Sequence, residues 1–237
     1  MRGRDYAKSV GEKRGDGVNT GDFVYIEYVG RIKDTGEIFD LTKEDVAKKE
    51  GIYDPTFKYK PVPIIIDSNF VLKGLNDAIK GMKVGEKKKV KIEPKDGFGE
   101  RNPNLVQLIP ISKFREQNVE PKVGSVINVG GFRGRIVSVS GGRVKVDFNH
   151  PLAGKVLEYE IEVVKKVKDT KEKIEAIVFY FTGVEAEDLE VRVKEKEAEI
   201  ELKRRDFILT MEAMKRIAET VKKWVKPIER VRFAYVL

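Results

Sequence analysis

The chain has 237 residues, 41% hydrophobic and 36% charged, with a net charge of +8, one His and no Cys. That balance describes a globular chain with a highly charged surface, long enough for one to two domains with a real core. It excludes disulfide and thiolate chemistry, and no apolar run approaches the ~18 residues that a bilayer span needs.

Residues 1–17 lack the apolar stretch of a secretory signal and read as a disordered leader outside the fold. With neither a signal nor a span, the cytoplasm is the expected compartment, with no membrane partner. The positive charge is concentrated in one place. Residues 103–149 carry seven Lys or Arg against three Asp or Glu, so no basic footprint covers the whole chain.

In chain order, residues 23–30 read as a strand with Tyr28 near its end. Asp34-Thr35-Gly36-Glu37 supplies a turn that leads into Ile38-Phe39-Asp40. Residues 41–60 form an excursion, with a helical patch at 44–50 and an aromatic-rich loop at 51–59. The β-branched run 62–66 is a strand, too short for a helix. Val71, Leu72, Leu75, Ile79 and Met82 then paint one face of a short helix, and 87–93 alternates Lys with Val and Ile as a strand with one wet face. Phe98 follows between glycines.

Residues 123–148 change character: three short strands separated by Gly-Gly turns, which bury little alone. The alternation of Leu157, Tyr159, Ile161 and Val163 marks a long strand that returns to the first sheet, so the meander reads as an insertion. From about Lys171 a further unit begins, with 174–181 read as a strand. Leu189, Val191 and Val193 sit on odd positions but Ala198, Ile200 and Leu202 on even ones, a parity change that predicts a hairpin. Thr210 caps a helix running from Met211 to a stop at Pro227, before a last strand at 228–237. The fold class expected is α+β: an antiparallel half-barrel sheet with one short helix, an inserted small all-β domain and a C-terminal β-β-β-α-β domain. The expected boundaries are 18–102 with 150–169 for the first domain, 103–149 for the insert and 170–237 for the C-terminal domain.

Tyr28, GRIKDTGEIFD, PVPIIIDSNFVLKGLNDAIKGMKVGEKKKVKI, DGFG and LEYEIEVV follow the order and spacing of FKBP-type peptidyl-prolyl isomerases. NPNLVQLIPISKF and FNHPLAGKVLEYEIEVV resemble the SlyD-type branch, in which a chaperone domain is inserted in the flap. The extra C-terminal part resembles the long archaeal members. The resemblance covers roughly residues 18–168 and implies an FKBP-like fold and a peptidyl-prolyl isomerase.

By that resemblance Tyr28, Phe39, Val71, Leu72, Phe98 and Tyr159 are walls of a proline pocket, Leu75 its floor and Leu152 a further wall. The Leu72 N–H would hold a substrate carbonyl, and Asp40 would hydrogen-bond at the rim. Leu75 stands where many members carry Trp, Phe98 where Tyr is usual and Val62 where an aromatic is frequent. Rotation about X-Pro needs no nucleophile, metal or cofactor, and none is expected. His150, without a nearby nucleophile or second ligand, reads as a loop residue.

For the insert, Ile109, Ile111, Phe114, Ile127, Val129 and Phe132 would offer an apolar surface to unfolded, proline-containing polypeptides. The alternative is an RNA- or ribosome-binding insert using Arg133, Arg135, Arg143 and Lys145, with the pocket only a peptide cleft. It is disfavoured because stacking aromatics are nearly absent. The C-terminal domain is expected to support a homodimer.

Overall fold

The computed structural model describes residues 17–203 and 207–235, so the leader expected at 1–17 lies outside the described residues apart from Gly17. The chain divides into two compact units, one made of residues 1–91 and 158–237, the other of Ile92–Leu157. Residues 170–237, read from the sequence as a separate domain, lie in the first unit together with the half-barrel.

The strands and helices before the second unit are β1 (Phe23–Ile32), β2 (Ile38–Leu41), α1 (Glu44–Lys49), β3 (Val62–Ile65), α2 (Lys73–Ile79) and β4 (Lys87–Ile92). The second unit contains β5 (Val106–Pro110), α3 (Ile111–Glu116), β6 (Val126–Val129), β7 (Phe132–Ser140) and β8 (Arg143–Asp147). The chain then returns through β9 (Leu157–Val167), α4 (Thr170–Thr182), β10 (Leu189–Lys194), β11 (Glu197–Leu202), α5 (Met211–Trp224) and β12 (Arg230–Tyr235).

In the first unit the main sheet runs β2-β1-β9-β4, with β3 also on β1. The returning strand β9 therefore sits inside the sheet rather than at its edge. Period-two alternation splits β1 between two environments. Phe23 and the half-buried Tyr25 join a core formed mainly by α4, β10, β11 and α5, while Val24 and Ile26 are buried on the opposite face. The residue 65 side of β3 shares the first of these cores. The C-terminal part thus shares its apolar core with β1 and β3.

A polar clamp ties the end of β3 to α2. Asn76, 8% exposed, accepts the Asp67 N–H at 2.8 Å and donates to Asp67 Oδ1 at 2.6 Å. Lys80 donates to the other carboxylate oxygen at 2.8 Å, and Thr20 also donates to it. Hydrogen bonds from Lys80 first, then from Thr20 and Asn76, hold the Asp67 carboxyl down to about 2. A depressed carboxylate adds stability above its ordinary range, and that share is lost as pH falls through about 2. Asn76→Ala removes a nearly buried amide and leaves the half-buried Asp67 N–H and Oδ1 without their partner, at a cost of about 2 kcal/mol. The melting temperature should fall by roughly 4–8 °C in a calorimetric scan; an unchanged value would remove the clamp from the account of stability.

The sequence reading is corrected at α4, where a strand is expected and a helix forms. Asp169 caps it by accepting the Glu172 N–H at 2.9 Å, and Gly183 ends it in the left-handed region at φ 69°. Ile174, Ala176, Ile177 and Val178 are all buried, so the helix is apolar on nearly every side and its run imitates an interior strand. The C-terminal order is therefore α-β-β-α-β. The predicted hairpin is present as β10 and β11, antiparallel, with Glu195 at φ 52° in the turn and β12 added parallel to β11.

The second unit is not all-β either. Its sheet runs β5-β8-β7-β6 and one face is covered by α3, whose Phe114 is 5% exposed in a small core with Ile136, Val144 and Val146. Phe114 is thereby corrected from surface to core. Ile109, Ile111 and Ile127 are half-buried against that core. Val129 is half-buried, and of the six residues expected to face clients only Phe132 is open, at 71% exposure. Gly134 is where the sheet must have no side chain: a Cβ there would meet Val146 at 2.6 Å and Phe148 at 2.7 Å. Among the described residues of the whole chain, no helix is long and apolar enough to cross a membrane.

Candidate active site

The end of β1 and the whole of β2 assemble an aromatic cup. Tyr28 pairs across the sheet with the segment just after β2, where Thr42, 4% exposed, clamps it. The Thr42 hydroxyl accepts the Tyr28 N–H at 2.9 Å, and the Thr42 N–H donates to the Tyr28 carbonyl at 3.0 Å. The register irregularity after Gly30 falls opposite Phe39. Tyr159, on β9 and 3% exposed, stands 5.7 Å from the Tyr28 ring and 5.6 Å from the Phe39 ring, the latter edge-on at 85°. Such edge contacts set aromatic walls at fixed angles.

Gly30 is the base on which these rings rest. A Cβ at that position would lie 2.8 Å from the Phe39 ring tip and 3.0 Å from Tyr159. Neither Gly30 nor Thr42 is marked out by sequence patterning; a glycine inside an otherwise β-branched strand is the one available hint of a close approach.

Asp40 is drawn into the cup by Tyr28, whose hydroxyl donates to Oδ2 at 2.7 Å. Burial first, then the negative charge of Asp40 and this hydrogen bond, push the Tyr28 phenol far above its ordinary 10. Burial, with Asp40 second, does the same to Tyr159. The Tyr28 proton therefore stays in place as a donor to Asp40 at any physiological pH.

Two consequences follow. Because the folded chain holds these phenolic protons more tightly than the unfolded chain, their share of stability is complete below about pH 10 and is lost as pH rises beyond it. Tyr28→Phe keeps the ring but frees the carboxylate, so it should lower kcat/KM on a proline peptide by about fivefold and soften the alkaline fall in melting temperature. A melting profile identical to the parent above pH 10 would contradict this.

The structure thus brings Tyr28, Phe39, Asp40 and Tyr159 together. Val71, Leu72 and Leu75 lie at the start of α2 in the same unit, Leu75 buried at 3% and the other two half-buried. Leu72 precedes the first helical turn at φ −52°, ψ 145°, and its carbonyl takes the Asn76 N–H at 2.9 Å. Among the described residues no backbone carbonyl takes the Leu72 N–H, which leaves it available as a donor. Phe98 and Leu152 belong to the second unit. There Phe98 stacks on His150 with ring centroids 4.3 Å apart, and the Leu152 N–H donates to His150 Nδ1 at 3.1 Å. His150 is a loop residue in this arrangement.

Comparison with known proteins agrees with this geometry. A short-type peptidyl-prolyl cis-trans isomerase of Methanocaldococcus jannaschii is 37% identical over 146 residues, 62% of this chain and 92% of that one. A probable FKBP-type 16 kDa peptidyl-prolyl cis-trans isomerase of Pseudomonas fluorescens is 32% identical, over 47% of this chain and 76% of its own. The chain belongs to the FKBP-type peptidyl-prolyl cis-trans isomerases. Within that family, the FKBP-type isomerase SlyD of Haemophilus influenzae is 32% identical over 54% of this chain and 70% of its own. A family model described as FKBP26, IF domain, matches residues 107–152, inside the second compact unit. The branch with an inserted domain, suggested by the sequence resemblance, is the one this FKBP-type isomerase falls in.

Proposed function

We propose that this isomerase works without covalent chemistry, by taking an X-Pro amide out of water into the cup of Tyr28, Phe39 and Tyr159, with Val71 and Leu72 as further walls and Leu75 as the floor. The barrier of 18–20 kcal/mol exists because twisting the amide destroys its resonance. Water favours the planar, charge-separated form, so an apolar site narrows the gap between planar and twisted states. The Leu72 N–H holds a substrate carbonyl, while Asp40, fixed by Tyr28, sets the field at the rim. The single observation that carries this reading is the ring triad around a carboxylate already paired with its own tyrosine. Acceleration of cis-to-trans exchange in an Ala-Pro peptide, lost in Phe39→Ala, tests it.

The second unit is proposed to hold unfolded, proline-containing polypeptides. Its support is the sheet face opposite α3. Register places Leu108, Val126, Arg133, Arg135, Arg143 and Lys145 on that face, and Leu108 and Val126 are 59% and 48% exposed. The four cations make no ion pair among the described residues, so acidic, apolar segments fit best. A shallow fall in binding of an unfolded protein across a salt series supports this, since only a few exposed cations are screened, whereas a steep fall supports the nucleic-acid alternative. Clients in the cytoplasm are part of the same proposal.

Self-association through the C-terminal part is proposed on narrower ground than the sequence suggests. The buried stripe of α5 is core, and the outer face of β10-β11 is laced with charge, Arg192 pairing with Glu190, Glu199 and Glu201. Ile208 and Met211, 74% and 79% exposed, remain as anchors. Met211→Glu should turn a dimer into a monomer in sedimentation; an unchanged sedimentation coefficient counts against this seam.

A further inference from the structure

Tyr28 has a second neighbour besides the cup. A cavity of about 290 Å³ opens in the gap between the end of β2 and the start of β3, lined by Tyr28, Leu41, Val62, Phe57 and, from the last turn of α4, Phe179. Its rim is strapped shut on one side by Lys58 and Lys60, which both donate to Glu185 just beyond α4; Lys60 also rests 3.9 Å over the Phe179 ring. The loop that forms its mouth is built rather than slack. Asp54 accepts from Thr56, the Asp54 N–H donates to the Tyr59 hydroxyl at 2.9 Å, and Tyr59 is packed by Tyr53 and Phe57. Yet this internally bonded loop presents Ile52, Tyr53 and Phe57 to solvent at 46%, 42% and 51% exposure. Phe57 also lines the cavity, and an exposed apolar loop that reaches into an apolar cavity marks a binding surface.

We propose that this cavity is an extended subsite of the isomerase. Its occupant is the aliphatic or aromatic side chain of the client residue two positions from the proline. The proposal rests on the reading of the cup as the prolyl site. An extended chain repeats its side-chain direction every second residue, at a rise of ~3.3 Å each, so the residue two from proline points the same way as the ring and lies ~7 Å along. Tyr28 lines both the cup and the cavity, so the two adjoin at its side chain. The volume suits the occupant: an engineered apolar cavity of about 150 Å³ already takes benzene, and this one is larger. Phe179 gives the C-terminal part a share in substrate selection. That share needs no dimer.

The test uses the full chain and peptides with a fixed Ala-Pro pair, in which the residue two positions before or after the proline is Ala, Leu or Phe. Exchange is followed by NMR, and the ratio of kcat/KM for the Phe peptide to the Ala peptide is read within each protein. That ratio cancels any general loss of activity. The parent should prefer the Phe peptide by about tenfold in one of the two positions. Phe179→Ala and the cavity-filling Val62→Phe should each bring the ratio to about two or less, through opposite changes in volume. A parent ratio near one, or a ratio that survives both variants, overturns the subsite and leaves the prolyl reading intact. A parent that accelerates none of the peptides fails at the cup itself and takes the subsite with it.

Discussion

Phe39→Ala is expected to lower kcat/KM on an Ala-Pro peptide by about 30-fold while the chain stays folded. The ring is half-buried rather than fully buried, so its removal should cost less stability than that of a core aromatic. It does remove an apolar wall that stands edge-on to Tyr159 at 5.6 Å. Losing about 2 kcal/mol of burial against a bound proline corresponds to that factor if the contact is worth most in the twisted state. The direction of the split is informative. A rise in KM alone would mean that Phe39 only binds substrate, whereas a fall in kcat means that it favours the twisted amide. Full activity with an intact near-UV spectrum would remove the cup from the mechanism. Gly30→Val is the complementary change: it adds a side chain where a Cβ already comes within 2.8 Å of Phe39, so it should depress activity by crowding the same ring from below.

Much of the cup is legible in the sequence because strands and turns announce themselves locally. Alternation places Tyr28 and Gly30 on one face of β1, and the turn at 34–37 returns Phe39 and Asp40 alongside them. What patterning cannot supply is the pairing of Tyr28 with Asp40, since it depends on side-chain rotamers, or the role of Thr42, whose hydroxyl serves the Tyr28 backbone across the sheet. The misread helix α4 fails for a different reason. Its spacing of Ile174, Ile177, Val178 and Phe181 fits a helix, but surrounding apolar residues blur the stripe, because this helix is buried between the half-barrel and the C-terminal sheet. Asp169 with Glu172 is the capping signal that would have decided it. The cavity beside Tyr28 is illegible for the same reason: Phe179 reaches it only through the folding of residues more than a hundred positions apart.

Excision of residues 103–149 is expected to separate two activities. Within the second unit the two sides of the cut lie close: Asn102 exchanges hydrogen bonds of 2.8 and 3.0 Å with Asn149, the last residue removed, so the retained His150 starts one residue from that contact. A two-residue glycine link can therefore close the gap without pulling on what remains, and the Gly154 N–H still meets the Gly99 carbonyl at 2.8 Å below it. Activity on a short peptide should change by less than about threefold, because Tyr28, Phe39, Asp40 and Tyr159 all lie outside the excised segment. Proline-limited refolding of an unfolded protein should fall by about 100-fold, since a weak client site joined by the chain to a weak prolyl site gains its effect from local concentration. The two losses come from different physical sources, and this is what makes the comparison decisive. If peptide and protein substrates lost activity equally, the insert would be supporting the cup rather than supplying it with clients, and the exposed face bearing Leu108, Val126 and the four cations would need another partner.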